Sequence, residues 1–244
     1  MSRGINFACA CQDLRQGFFT AKYVFEHAPK RSIKFVLIGL TPYSLRYDCS
    51  ESFAVCVLNY HFSAMLKNFT DETNNGKMLN LLVNDWVKNF YDGVTAAQAD
   101  PNLRNYKNSN EISAEEIMNW EIALAGHNKK FRKEVIERNL QFFKDYIKLC
   151  VDNGAKPVGV LWPFSPIIRS KYHQDMLMHL RWMMKQYEES YDFTFIDLFD
   201  LPLGYDCFFD LTHMNLRGNF YATNALNAKL HERNILPLNG ATNG

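Results

Sequence analysis

The residues best placed to do chemistry lie near the C-terminus, in Cys207-Phe208-Phe209-Asp210-Leu211-Thr212-His213-Met214-Asn215-Leu216-Arg217-Gly218-Asn219. A carboxylate stands three positions ahead of an imidazole, in a polar turn between an aromatic pair and a helical run beginning near Gly218. Histidine ionises nearest neutrality, and a carboxylate that fixes its tautomer and steadies the imidazolium makes it a directed base. Residues three apart in a turn or first helical turn point the same way, so Asp210 can reach His213 without a distant strand. The plainer alternative is that Asp210 caps the following helix while His213 packs or faces solvent.

Size and charge narrow what such a base would serve. A chain of 244 residues suffices for one large α/β domain, taken here as residues 1–244. The formal charge is +1 with no block of like charges, so neither nucleic acid nor an anionic membrane is an expected partner; a small molecule is. The six cysteines, at 9, 11, 49, 56, 150 and 207, include no C-x-x-C pair, which favours free thiols and implies no metal site. No apolar run approaches the roughly 18 residues of a membrane helix, and no leader pattern opens the chain, so a soluble, cytoplasmic protein is expected.

The elements that must position the base follow from periodicity. Ile5 to Ala10 reads as a buried strand, and Asp13 with Gln16 has the spacing of a capping box opening a helix that runs to about His27, weakened at Gly17. Ile33 to Leu40 is nearly all apolar, as a strand covered on both faces of a parallel sheet should be. It ends in Gly39-Leu40-Thr41-Pro42-Tyr43-Ser44, and loops at such carboxyl ends are where open α/β sheets place ligands. A helix from Ser50 to about Phe69 leads into residues 70–128, read as a mainly helical insertion or lid with pieces at Leu79–Phe90 and Ser113–Ala125. A helix from Phe131 to Val151 stops at Asn153-Gly154. A strand from Pro157 to Trp162, a loop Pro163-Phe164-Ser165-Pro166, a helix from Gln174 to Ser190, a strand from Phe193 to Leu198 and a last helix from about Gly218 to Arg233 complete the order. The polar tail after Pro237 is expected to fray. This alternation predicts a doubly wound parallel sheet with helices on both faces, whose right-handed crossovers bring the strand ends to one edge.

Asp210-x-x-His213, the preceding strand with Asp197, the last helix, and the strand ending Gly39-Leu40-Thr41 together resemble the SGNH (GDSL-like) hydrolase superfamily. Within it they look most like the bacterial envelope branch that includes the D-alanyl-lipoteichoic acid transfer protein and polysaccharide O-acyl esterases and transferases. The likeness covers most of the chain in order of elements, and its specific part is the C-terminal block. It implies a flavodoxin-like three-layer sandwich, His213 as base and Asp210 as its orienting partner. It also places Cys11 where the family has its oxyanion-hole glycine, and Thr41 where it has its oxyanion-hole asparagine. Gly39, Thr41, Ser44 and Asn215 are the expected oxyanion or substrate-binding residues, Thr41 through its hydroxyl and Cys11 through its backbone N–H.

The family's serine sits in a Gly-Asp-Ser or Gly-Ser-Ser turn ahead of the block that here begins at Ile5, and only Met1-Ser2-Arg3-Gly4 precede that residue. The expectation is therefore a shortened chain or a lost nucleophile. Cys11, at a strand end leading into a helix N-terminus that favours a thiolate, is the first stand-in. Ser44, Ser165 and Ser2 follow it, the first two reading equally as turn residues.

The resemblance implies an esterase or acyltransferase working on an acyl ester of a carbohydrate or envelope polymer, with no metal or organic cofactor. The alternative is an inactive relative that binds a glycan or a protein partner in surface polysaccharide biosynthesis. A nucleotide-binding protein is disfavoured because no G-x-G-x-x-G or P-loop occurs, and a metal phosphoesterase because Asp210 and His213 supply only two ligands. The acyl group, the acceptor and the oligomeric state are not encoded in any motif.

Overall fold

The structure, a computed structural model, describes residues 13–47, 113–115, 118–119, 122, 132–171, 174–208 and 213–236. The expected strand at Ile5–Ala10, the helix from Ser50, most of the 70–128 insertion, Cys11, Asp210 and the tail after Pro237 lie outside them. Among the described residues the fold is α/β, with a three-stranded parallel sheet in the order β1-β2-β3 and helices packed on it.

Helix α1 (Leu14–His27) opens as the sequence predicts. The Gln16 N–H donates to Asp13 Oδ1 at 2.8 Å, and the Asp13 N–H donates back to Gln16 Oε1 at 3.3 Å. Two otherwise orphaned donors are thereby satisfied. Gly17, which weakens the helix in isolation, has a packing reason. A Cβ there would lie 3.2 Å from the Tyr146 ring, so its absence lets α1 approach α2 (Lys133–Asp152). Helix α2 stops at Asn153-Gly154 as expected. Gly154 takes the left-handed φ of +75° that glycine adopts without steric cost, and the Ala155 N–H donates to Cys150 O.

Strand β1 (Phe35–Leu40) pairs with β2 (Lys156–Leu161), and β2 pairs with β3 (Thr194–Asp197); β1 and β3 are two residues shorter than the apolar runs that encode them, and β2 is shifted by one. Leu40 faces Leu161 and Leu161 faces Asp197, so the three carboxyl ends are aligned on one edge. Alternation divides the side chains of these strands. Ile38, Leu40 and Leu161 join Phe143 and Ile147 of α2 and Leu180 and Met184 of α4 (Gln174–Ser190) in the larger core cluster. Val158 and Val160, of opposite parity to Leu161, pack with Ile196 against Leu226 and Leu230 of the last helix, α5 (Leu216–Glu232). Gly159 sits where an added Cβ would meet Phe193 Cζ at 2.7 Å, which is why an apolar strand carries a glycine there.

Two elements differ from expectation. The loop after β2 continues into a six-residue helix α3 (Pro166–Lys171), with Pro166 as its first residue and Ser165 Oγ accepting from the Ile168 N–H at 3.5 Å. The final helix begins at Leu216, two residues before the expected Gly218, because Asn215 and not a later residue is its N-cap.

Candidate functional site

Past β3 the chain makes a 3₁₀ turn, Tyr205–Cys207, and an antiparallel bridge joins Phe208 to Met214. His213, next to Met214 of that bridge, is exposed. The bridge is braced by Asn215, which is only 4% exposed. Its backbone N–H donates to Cys207 O at 3.1 Å, and its Nδ2 donates to Asp206 O at 2.9 Å and to Phe208 O at 3.4 Å. Its Oδ1 accepts from the Gly218 N–H at 3.0 Å, capping α5. A Cβ on Gly218 would fall 2.0 Å from Cys207 O, so the first turn of α5 lies directly against the 3₁₀ turn. Arg217 adds an ion pair with Asp206 at 2.7 Å. The buried Cys207 thiol is pushed above its ordinary pKa, first by burial and then by the Asp206 charge.

The loop after β1 is built the same way from a different asparagine. The Thr41 N–H donates to Ser44 Oγ at 2.9 Å, the Ser44 N–H donates to Thr41 O at 3.0 Å, and the two hydroxyls are 3.0 Å apart. Asn139 of α2 is fully buried, and its Nδ2 donates to the carbonyls of Ser44, Leu45 and Tyr47 at 3.3, 3.2 and 2.7 Å. Three converging carbonyls fix which end of the amide faces the loop, because the reverse orientation would set oxygen against oxygen. Either hydroxyl of the Thr41–Ser44 pair can be the donor. Gly39 lies just before this loop, and its missing Cβ faces the Trp162 indole at 3.5 Å.

Of the serines proposed as stand-in nucleophiles, the two described ones are engaged in turns. The partners of the Ser44 hydroxyl are both on Thr41, and the fully buried Ser165 hydroxyl accepts from the α3 backbone. These hydrogen bonds hold Thr41 with Ser44, while Asn215 is held to Asp206, Phe208 and Gly218. Asp210, Cys11 and Ser2 lie outside the described residues.

Sequence reasoning missed Asn139 and a cluster at the carboxyl end of β3. There Arg181 Nε donates to Asp197 Oδ2 at 2.6 Å and its NH2 to Asp200 Oδ2 at 2.6 Å, with the guanidinium 5.7 Å from the Phe199 ring centre. Burial opposes the Arg181 charge, but the hydrogen bonds and charges of Asp197 and Asp200 outweigh it and hold the guanidinium above its ordinary pKa. This cluster lines an open cleft of about 350 Å³ together with Leu198, Leu201, Ala225 and Lys229. Asn139 had a readable signal, a lone amide at helical spacing among Val135, Ile136 and Phe143 on a buried face. The Arg181 cluster had none, since its members are brought together only by the sheet.

Among the described residues no helix is long and apolar enough to cross a membrane, and no group of three or more His, Cys, Asp and Glu is placed to hold a metal ion. Comparison with known proteins finds no matching family model, no matching curated protein and no matching solved structure.

Proposed function

We propose that the chain is an SGNH-like esterase or acyltransferase acting on an acyl ester of a carbohydrate or cell-envelope polymer, built on a doubly wound three-layer sandwich. The observation that carries this reading is the Asp210-x-x-His213 spacing in the sequence, flanked by the bridged residues Phe208 and Met214 and by the Asn215 cap of α5. In support of the architecture, core clusters of opposite strand parity pack on α2 and α4 on one side and on α5 on the other.

In this mechanism the His213 imidazole takes the proton of the Cys11 thiol while Asp210 holds the other ring nitrogen. The thiolate sulfur adds to the acyl carbon, and the carbonyl oxygen gathers negative charge that Thr41 Oγ1–H and the Cys11 N–H stabilise. Collapse breaks the bond from acyl carbon to alcohol oxygen, and the imidazolium returns its proton to that oxygen. The thioester is then cleaved by water, or by an acceptor hydroxyl, deprotonated by the same imidazole. Gly39, Ser44 and Asn215 shape the loops that present these groups.

A second reading is favoured by one observation: both described candidate serines are engaged in turns. It is a non-catalytic SGNH-like domain that binds a glycan or protein partner in surface polysaccharide biosynthesis. Hydrolysis of p-nitrophenyl acetate separates the two. The esterase reading expects turnover that His213→Ala and Cys11→Ala each abolish, and turnover equal to the uncatalysed rate in the wild type leaves only the binding domain.

A further inference from the structure

We infer that Asn215 is a positioning residue for His213, in addition to capping α5; the functional weight of this rests on His213 being the base proposed above. The two ends of its amide do different work. Oδ1 accepts the Gly218 N–H at 3.0 Å, a task that serine or aspartate performs as well at an N-cap. Nδ2 donates to Asp206 O at 2.9 Å and Phe208 O at 3.4 Å, which no common capping residue other than asparagine can do, since serine and aspartate at that place lack the paired donors. Those two carbonyls belong to the 3₁₀ turn and to the bridge residue Phe208, while Asn215 follows Met214 on the other side of the bridge. The amide therefore bolts both sides of the Phe208–Met214 bridge to the first turn of α5, and His213 is separated from the bolt only by Met214. Burial of Asn215 keeps water from replacing either bond. An imidazole hung two residues from such an anchor has its backbone direction fixed before any substrate arrives, which is what a base within reach of one proton requires.

The test uses the full-length chain, labelled with ¹⁵N, and the long-range proton–nitrogen spectrum of its histidine rings, with the His213 signals assigned by their loss in His213→Gln. Asn215→Ser and Asn215→Asp keep an acceptor for Gly218 and remove the donors. The inference expects both variants to retain the amide-exchange protection of α5. The His213 ring should go from one set of signals with one dominant tautomer to a mixture or a second set. In the hydrolysis of p-nitrophenyl acetate, kcat should fall by about a hundredfold with KM little changed. Unchanged His213 signals in both variants overturn the inference. So does loss of α5 protection in both, since Asn215 would then be a cap alone. A wild type that does not hydrolyse the ester overturns the esterase reading instead, and the ring spectra still decide the role of Asn215.

Discussion

Asn139→Leu should loosen the loop after β1 while leaving the sheet intact. Leucine repeats the heavy-atom count and branching of asparagine and keeps α2 helical, so the change removes the hydrogen bonds while adding some bulk at the two methyl groups. Two N–H hydrogens serve three carbonyls: Tyr47 O at 2.7 Å takes one well, and Ser44 O and Leu45 O, at 3.3 and 3.2 Å, share the other. That is about two net hydrogen bonds at about 1 kcal/mol each, plus the desolvation cost of carbonyls left in a site from which Asn139 excludes water. Against this, Asn139 Oδ1 is buried without a partner, and leucine removes that liability. The balance is a loss of about 2 kcal/mol. Asn139→Asp should be worse at neutral pH, because a buried carboxylate would face three carbonyl oxygens. Such a carboxyl is driven to stay protonated, so its folded-state pKa lies above the unfolded one. Its stability penalty is then smallest below the unfolded pKa and grows as pH rises through the folded one. Urea denaturation of the three proteins, with amide exchange at residues 41–47, reads both effects. Asn139→Leu within about 0.5 kcal/mol of the wild type, with unchanged exchange in the loop, would falsify the claim that Asn139 holds it.

Three further outcomes follow from particular contacts. Gly218→Ala drives a Cβ into the Cys207 carbonyl, so it should shift the Phe208–Met214 bridge and lower the melting temperature more than alanine at the exposed Asn224 of the same helix. His179 titrates below its ordinary 6.5 because burial, and then the Arg46 charge, disfavour its imidazolium. Its contribution is complete above 6.5 and is lost as pH falls through the lower folded value, so His179→Gln should flatten the decline in melting temperature between about pH 7 and pH 5, and an unaltered slope counts against it. Burial pushes the Cys150 thiol up to about 12, so the stability it supplies is whole below its ordinary 9.0 and is lost as pH rises toward 12. Thiol reagents should therefore label Cys150 only when the protein is unfolded, and rapid labelling under native conditions would contradict its placement.

The strands were legible because Ile33 to Leu40, Pro157 to Trp162 and Phe193 to Leu198 are apolar runs flanked within two residues by Pro or charged residues, and their ends moved by only one or two positions when pairing set them. Helix α1 could be placed from Asp13 and Gln16 alone, since a capping box is a local exchange of hydrogen bonds. Helix α3 escaped because six residues are too few to show a period. At the site, the Asp210–His213 spacing could be read directly, but the direction of Asn215 could not. Placed two residues past the histidine it resembles a ligand contact, whereas its amide turns inward to the Asp206 and Phe208 carbonyls and the Gly218 N–H. The Asn-x-x-Gly pattern from Asn215 to Gly218 is the local signal of that cap. Asn139 acts on carbonyls more than 90 positions away, and the Arg181 cluster joins a helix to a strand end, so tertiary packing alone defines their partners.

The central claim is that His213 is a base, and one comparison of rates tests it most directly. Hydrolysis of p-nitrophenyl acetate near neutral pH is measured for the wild type, His213→Ala and Asp210→Asn, with α5 checked by circular dichroism in each. The account predicts catalysed turnover in the wild type, loss of it to the uncatalysed rate in His213→Ala, and an intermediate loss in Asp210→Asn. Turnover in a folded His213→Ala protein equal to that of the wild type would contradict it.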